Sequence, residues 1–189
     1  MRREAGRLDS RVTLYDLTLA GAAYSWTTSG EVWAKANGSD KKTYLSSIGV
    51  GARSAEMLFR AESTPTMQNL LGWQGRFYFP TSIIQDDRAA FAEVIAAQVE
   101  PITATLSAYR PEVTLKTFPA VLLEKYLKYM QERPMAIAQE SYILIVPKAI
   151  ALEVADLVSL PGLGVFHVDV PHRLDPARNE YEITRQVDI

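Results

Sequence analysis

Apolar and polar residues alternate along most of this chain, and a period of two is the signature of half-buried strands. Arg76, Phe77, Tyr78 and Phe79 set the pattern, with Phe77 and Phe79 on one face and Arg76 and Tyr78 on the other. Just before them, Gly72 and Gly75 bracket Trp73 and Gln74, which is the punctuation of a tight turn. Ile83 and Ile84 follow, then Asp86, Asp87 and Arg88 as a charged hairpin turn. A similar order returns later in Gly162, Leu163, Gly164, Val165, Phe166, His167 and Val168, with Asp175 and Arg178 beyond them. Gly75 and Gly164, Phe77 and Phe166, and Asp86 and Asp175 share one offset of ~89 residues, which marks an internal repeat.

The remaining elements fall around this landmark. Arg11, Val12, Thr13, Leu14 and Tyr15 read as the first strand, and the small, polar residues 17–29 as a hairpin or loop. Glu31 to Ala36 read as the second strand. Residues 37–53 then form a long polar stretch containing Gly38, Asp40, Lys41, Lys42, Tyr44, Ile48, Val50 and Arg53. Connections longer than ~12–15 residues are uncommon in compact domains and usually functional or disordered. Its apolar members suggest a loop that packs against something, such as another subunit. Residues 56–60 read as the third strand. Residues 90–99 fit a helix by the spacing of Phe91, Val94, Ile95 and Gln98, but their repeat counterpart alternates through Tyr181, Ile183, Val187 and Ile189. A strand is therefore expected.

In the second half, residues 101–108 can continue as strand, and Val113, Thr114 and Leu115 mirror Val12, Thr13 and Leu14. Leu122, Tyr126, Tyr129 and Met130 fall at helical spacing, with Pro119 in a first turn, Pro134 as a stop and Glu124 four residues before Lys128. Residues 141–147 are the most strand-like run, and residues 152–158 another strand or short link. The expected architecture is mainly β: two related small β-barrel or sandwich modules in tandem, residues 1–100 and 101–189, with one helix near residues 119–133. Such modules leave edge strands that invite other chains.

Composition narrows the function. The chain has 189 residues, long enough for a sizeable core, with 20 Lys and Arg against 22 Asp and Glu. That balance excludes a general nucleic-acid coat, although Arg2, Arg3, Arg7 and Arg11 cluster near the start. The absence of cysteine removes disulfides and thiolate chemistry and fits assembly in a reducing compartment. The N-terminal residues lack the apolar core of a signal peptide, and no apolar run approaches the ~20 residues of a membrane span.

No catalytic constellation stands out, and a non-enzymatic role is expected without a cofactor or metal. His167 and Asp169 could share a strand face, but a lone pair is a weak metal site, and His172 follows Pro171 in a turn. Gly49, Val50 and Gly51 lack the lysine and the strand-to-helix context of a phosphate loop. Asp86 and Asp87, even with Asp16 or Glu93, read as turn residues rather than an acid–base pair. Lys41, Lys42, Arg53 and Tyr44 could touch a phosphate backbone, or simply be solvated or packed against a subunit.

The order of landmarks in residues 6–99 resembles the head-tail joining (head-closure, or stopper) family of long-tailed bacteriophages. It is carried by Gly6, Arg7 and Leu8 with residues 11–14; by Glu31, Val32, Trp33 and Ala34; by the long polar stretch; by Phe59 and Arg60; by Pro65, Thr66 and Met67; by Gly75 to Tyr78; and by Asp86, Asp87 and Arg88. No single string is diagnostic. The resemblance implies a β-barrel subunit forming a homo-oligomeric ring in the virion neck, assembled in the host cytoplasm and set between portal or adaptor and tail proteins. It further implies that residues 37–53 face the channel, where Gly38, Asp40, Lys41, Lys42, Tyr44, Ile48, Val50 and Arg53 would make transient contact with packaged double-stranded DNA. Trp73, Gly75, Phe77, Gly164 and Phe166 would be scaffold. Family members are about one such module long, so the second copy is a departure. Rival readings are a tail terminator or tail-completion protein, and a monomeric ligand- or carbohydrate-binding β module built on Trp26, Trp33 or Trp73.

Overall fold

A computed structural model describes residues 8–45, 51–85, 90–107, 113–124 and 141–186, and for Asp40 and Lys41 the backbone alone. Twelve strands lie among the described residues: β1 (Ser10–Ala20), β2 (Ala23–Tyr44), β3 (Gly51–Arg60), β4 (Leu70–Trp73), β5 (Arg76–Gln85), β6 (Phe91–Val99), β7 (Ile102–Ser107), β8 (Thr117–Glu124), β9 (Ser141–Pro147), β10 (Leu157–Leu160), β11 (Gly164–His172) and β12 (Arg178–Arg185). The described helical content is one 3₁₀ turn, Ala61–Ser63. The mainly β class expected from alternation is what the chain adopts. It divides into two compact units, Met1–Thr18 with Trp26–Glu100, and Leu19–Ser25 with Pro101–Ile189.

In the first unit, β1 pairs with β4, β4 with β5, β5 with β6, β6 with β3, β3 with β2, and β2 returns to β1. The six strands thus form a closed circuit of pairings. Alternate residues fill it: Val12 on β1, Ala34 on β2, Ala55, Met57 and Phe59 on β3, Leu71 and Trp73 on β4, Tyr78 on β5, and Val94 and Ala96 on β6. Gln74 and Gly75 close the β4–β5 hairpin with φ of 52° and 73°. Two consecutive left-handed residues are what a two-residue hairpin turn needs, and glycine takes that conformation without a steric cost.

In the second unit the circuit runs β7, β10, β11, β12, β9, β8, and β8 returns to β7. Its core holds Ala104 and Leu106 on β7, Phe118 and Ala120 on β8, Leu144 and Val146 on β9, Val158 on β10, Phe166 and Val168 on β11, and Tyr181 and Ile183 on β12. Tyr181 also anchors the β9–β10 connection, because its hydroxyl accepts the Leu152 N–H at 2.9 Å. Asn179 donates through Nδ2 to the carbonyls of Lys148 and Ile150, at 3.1 and 2.9 Å. The unit also takes in the tip of the β1–β2 hairpin: the Ala22 carbonyl accepts the Lys116 N–H at 2.8 Å, and Ala23 pairs with Thr117.

The two circuits match strand for strand, six strands apart. Met57 lies opposite Val94, as Leu144 lies opposite Tyr181. Leu71 lies opposite Tyr78, as Val158 lies opposite Phe166. The bulge between Pro80 and Ser82 on β5 recurs between Val168 and Val170 on β11. This equivalence corrects the register read from the sequence. Phe77 faces away from the core that Tyr78 fills, so the structural counterpart of Phe166 is Tyr78. The offset is ~88 residues on this strand and ~87 on β3, β4 and β6. A slip of one residue exchanges the faces of a strand, which is why the shared phenylalanine misleads.

Three other expectations change. Residues 117–124 are strand β8 rather than the start of a helix, because Phe118, Ala120 and Val121 are buried and pair along β7 and β9; residues 125–133 lie outside the described residues. Val113 to Lys116 precede β8 without joining a strand, and the counterpart of Val12 and Leu14 is Ala104 and Leu106 on β7. Finally, among the described residues every strand of both circuits pairs on two sides over at least part of its length, and the unpaired backbone edge lies along segments such as Gly51 to Arg53 of β3.

Candidate functional site

Residues 37–53, read as a loop, are for the most part a β-ribbon. β2 runs on to Tyr44 and β3 begins at Gly51, with Lys42 opposite Arg53, Thr43 opposite Ala52 and Tyr44 opposite Gly51. A bulge lies between Ser39 and Lys42. Ile48 and Val50 lie outside the described residues. β3 first meets β6 at Ser54, so Gly51, Ala52 and Arg53 pair with β2 alone. Polar strands like this one are hard to see in sequence, because pairing supplies their stability and they have no buried face of their own.

The ribbon is tied down on one side and open on the other. Thr81 donates its hydroxyl proton to the Ile95 carbonyl at 3.1 Å, so Thr43 donates to Thr81 across 3.4 Å. Leu45 is buried, whereas Tyr44 is 76% exposed. Gly38, Lys42 and Arg53 are exposed as well. Lys42 and Arg53 face each other as like charges across the ribbon, an arrangement that destabilises it by about 0.2–1 kcal/mol unless an anion sits between them.

A second feature surrounds the Trp73 hairpin. Trp73 is buried in the first core, and Gly75 holds the turn at positive φ. Gly72 is a strand residue, however, and a Cβ there would lie 2.9 Å from Tyr15 Cε2. Its missing side chain makes room for the Tyr15 ring, which meets Phe77 edge-on at 5.8 Å. Tyr15, Thr13, Arg11 and the segment from Gly72 to Phe77 border a depression of about 200 Å³. Arg11 lies 5.6 Å over the ring of Trp33, which is 53% exposed, and pairs with Glu31 at 3.2 Å. Sequence reasoning took Gly72 for turn punctuation and so passed over Tyr15. The available signal was the glycine placed inside a strand.

The three tryptophans do not combine into one aromatic pocket. Trp26 packs on Phe79 at 6.0 Å, Trp33 lies beneath Arg11, and Trp73 is in the core. In the second unit Phe166 is core and Gly164 starts β11 at φ 105°. His167 is half-buried and Asp169 exposed, while His172 bonds Glu182 at 3.1 Å. No group of three or more potential metal ligands occurs among the described residues. Arg178 is 5% exposed: burial pushes its guanidinium down to about 10, and Asp175 and Glu180 pull the other way.

No family model matches the chain, and no curated protein matches it. A similar solved chain comes from the virion of a native gene transfer agent (GTA) particle, with 16% identity and a TM-score of 0.38 over 50% of this chain and 97% of that one. A likeness this distant carries no argument about fold or function.

Proposed function

We propose that this protein is a structural virion protein of a tailed phage, a ring-forming component of the neck that joins portal or adaptor to tail and helps retain packaged DNA. The observation that carries the reading is the ribbon of β2 and β3, which runs past β6 and presents Lys42, Arg53 and an exposed Tyr44 at the position where the resembled family places its channel-facing segment. Its opposed cations suit a passing phosphate backbone, which would relieve their repulsion. Ring closure then falls to heterologous surfaces, on the order of 1,600 Å² per interface. The role is mechanical, with no bond made or broken.

The test is assembly with the neighbouring component. Purified chain mixed with purified portal is expected to form a ring-shaped complex by electron microscopy and light scattering, and antibody against the chain is expected to label virions between head and tail. Label confined to the distal tail, or to the host surface, would replace this reading.

A further inference from the structure

The repeat supplies an internal control for what is special to each unit. Register places Thr13, Gly72 and Phe77 side by side in the first unit, and Thr105, Ser159 and Val165 side by side in the second. Tyr15 corresponds to Ser107 and Arg76 to Gly164. The second unit thus has no ring at the positions where the first has Tyr15 and Phe77, and the guanidinium against its Gly164 comes from Arg185 on the neighbouring strand. Both units close their circuits and fill their cores, so the pair of rings is not what the fold demands.

We infer that the depression beside Tyr15 and Gly72 is a docking site for an extended, carboxylate-bearing segment of a partner protein. Its volume of about 200 Å³ is below the ~300–1,000 Å³ of small-ligand pockets, which limits the occupant to one or two side chains. Thr13 and Gly72 line it together with the edge-on rings of Tyr15 and Phe77, which supply apolar surface. Arg11 and Arg76 border it, and Glu31 balances one of these charges, so the site keeps a net positive charge. Among the described residues Arg76 is held by a 3.5 Å contact from Nη1 to Gln98 Oε1, and its other N–H groups suit a carboxylate. Stacking of Arg11 on Trp33 fixes the first guanidinium in advance, which lowers the cost of ordering it on binding. Glu31, paired with Arg11, works against a polyanion and in favour of a single acidic side chain beside an apolar one.

The experiment titrates ¹⁵N-labelled full chain with the capped peptide Ac-Ala-Glu-Leu-Asp-Ala-Ala-NH₂, its Gln and Asn analogue, and a ten-base single-stranded oligonucleotide. The acidic peptide is expected to move the amides of Thr13, Gly72, Gly75 and Arg76 and to leave Thr105, Ser159 and Gly164 still. The neutral analogue and the paired variant Arg11→Gln with Arg76→Gln are each expected to bind about tenfold more weakly. Both arginines are solvent-facing, so an unchanged spectrum elsewhere certifies the fold of the variant. Equal binding of the neutral peptide, shifts spread over both units, or tighter binding of the oligonucleotide at the same residues would each overturn the inference. The neck reading rests on the ribbon, which this titration does not probe, so the two stand or fall separately.

Discussion

Tyr78 and Phe166 hold the same place in two successive circuits of strands: each faces its own core, each lies opposite an aliphatic residue of the preceding strand, and each comes just before a bulge. Phe77, the residue that looks like the match, lies on the other face against Tyr15.

That relationship predicts unequal costs for neighbouring substitutions. Tyr78→Ala and Phe166→Ala should each destabilise by about 3–5 kcal/mol through the cavity left in a closed core. Phe77→Ala should cost only about 1–2 kcal/mol, for a half-buried ring and one edge-on contact. Urea unfolding midpoints measure all three. A Phe77→Ala loss equal to that of Tyr78→Ala would restore the register read from the sequence.

The ease with which the sequence yields the β class, yet loses the register, has a physical cause. Alternation in β6 is strong because one face is buried, and it survives even where alanines imitate a helix in residues 90–99, whereas β9 and β12 are buried on both faces along much of their length and read as strands from their branched and aromatic residues. Register depends on which face is inside; Phe77 lies on the face away from the core, and Phe79 on that same face is buried beneath Trp26, so apolar identity misleads there. The ribbon was hidden because Gly38, Ser39 and Lys42 carry no apolar signal, and β8 because Leu122 falls in a helical stripe with residues outside the described structure. The depression depends on Tyr15 and Gly72, which lie far apart in the chain and meet only through the pairing of β1 with β4.

Arg178 predicts an unusual pH response. A cation whose folded-state pKa is depressed binds fewer protons folded than unfolded, so stability rises with pH through the depressed value. For arginine, falling to about 10, that window lies beyond ordinary working pH. Arg178→Lys starts from an ordinary value near ~10.4, and the same burial should bring it into range. The variant should therefore gain about 1–3 kcal/mol relative to wild type between pH 7 and pH 10. Paired urea titrations at the two pH values test this, and a falling difference would contradict the cause assigned to the shift.

Lys42→Glu separates stability from function on the ribbon. It turns a like-charged pair with Arg53 into an opposite one and should stabilise the chain by about 0.5 kcal/mol. If the ribbon lines a DNA channel, the same change should weaken double-stranded DNA binding by the assembled ring and flatten its dependence on salt by about one charge. Thermal melting and binding at two salt concentrations give both readings; an unaltered salt slope would remove the ribbon from the channel.

The hairpin tip Leu19–Ser25 belongs to the second unit although it is made before most of the first. On the ribosome, Ala23 must wait for Thr117 to be synthesised, roughly 5–20 s at ~5–20 residues per second. The nascent first copy therefore folds with an unfinished end, and a fragment starting at residue 101 lacks a piece that its own unit requires. The two units interleave along the chain, so no single cut in the sequence parts them.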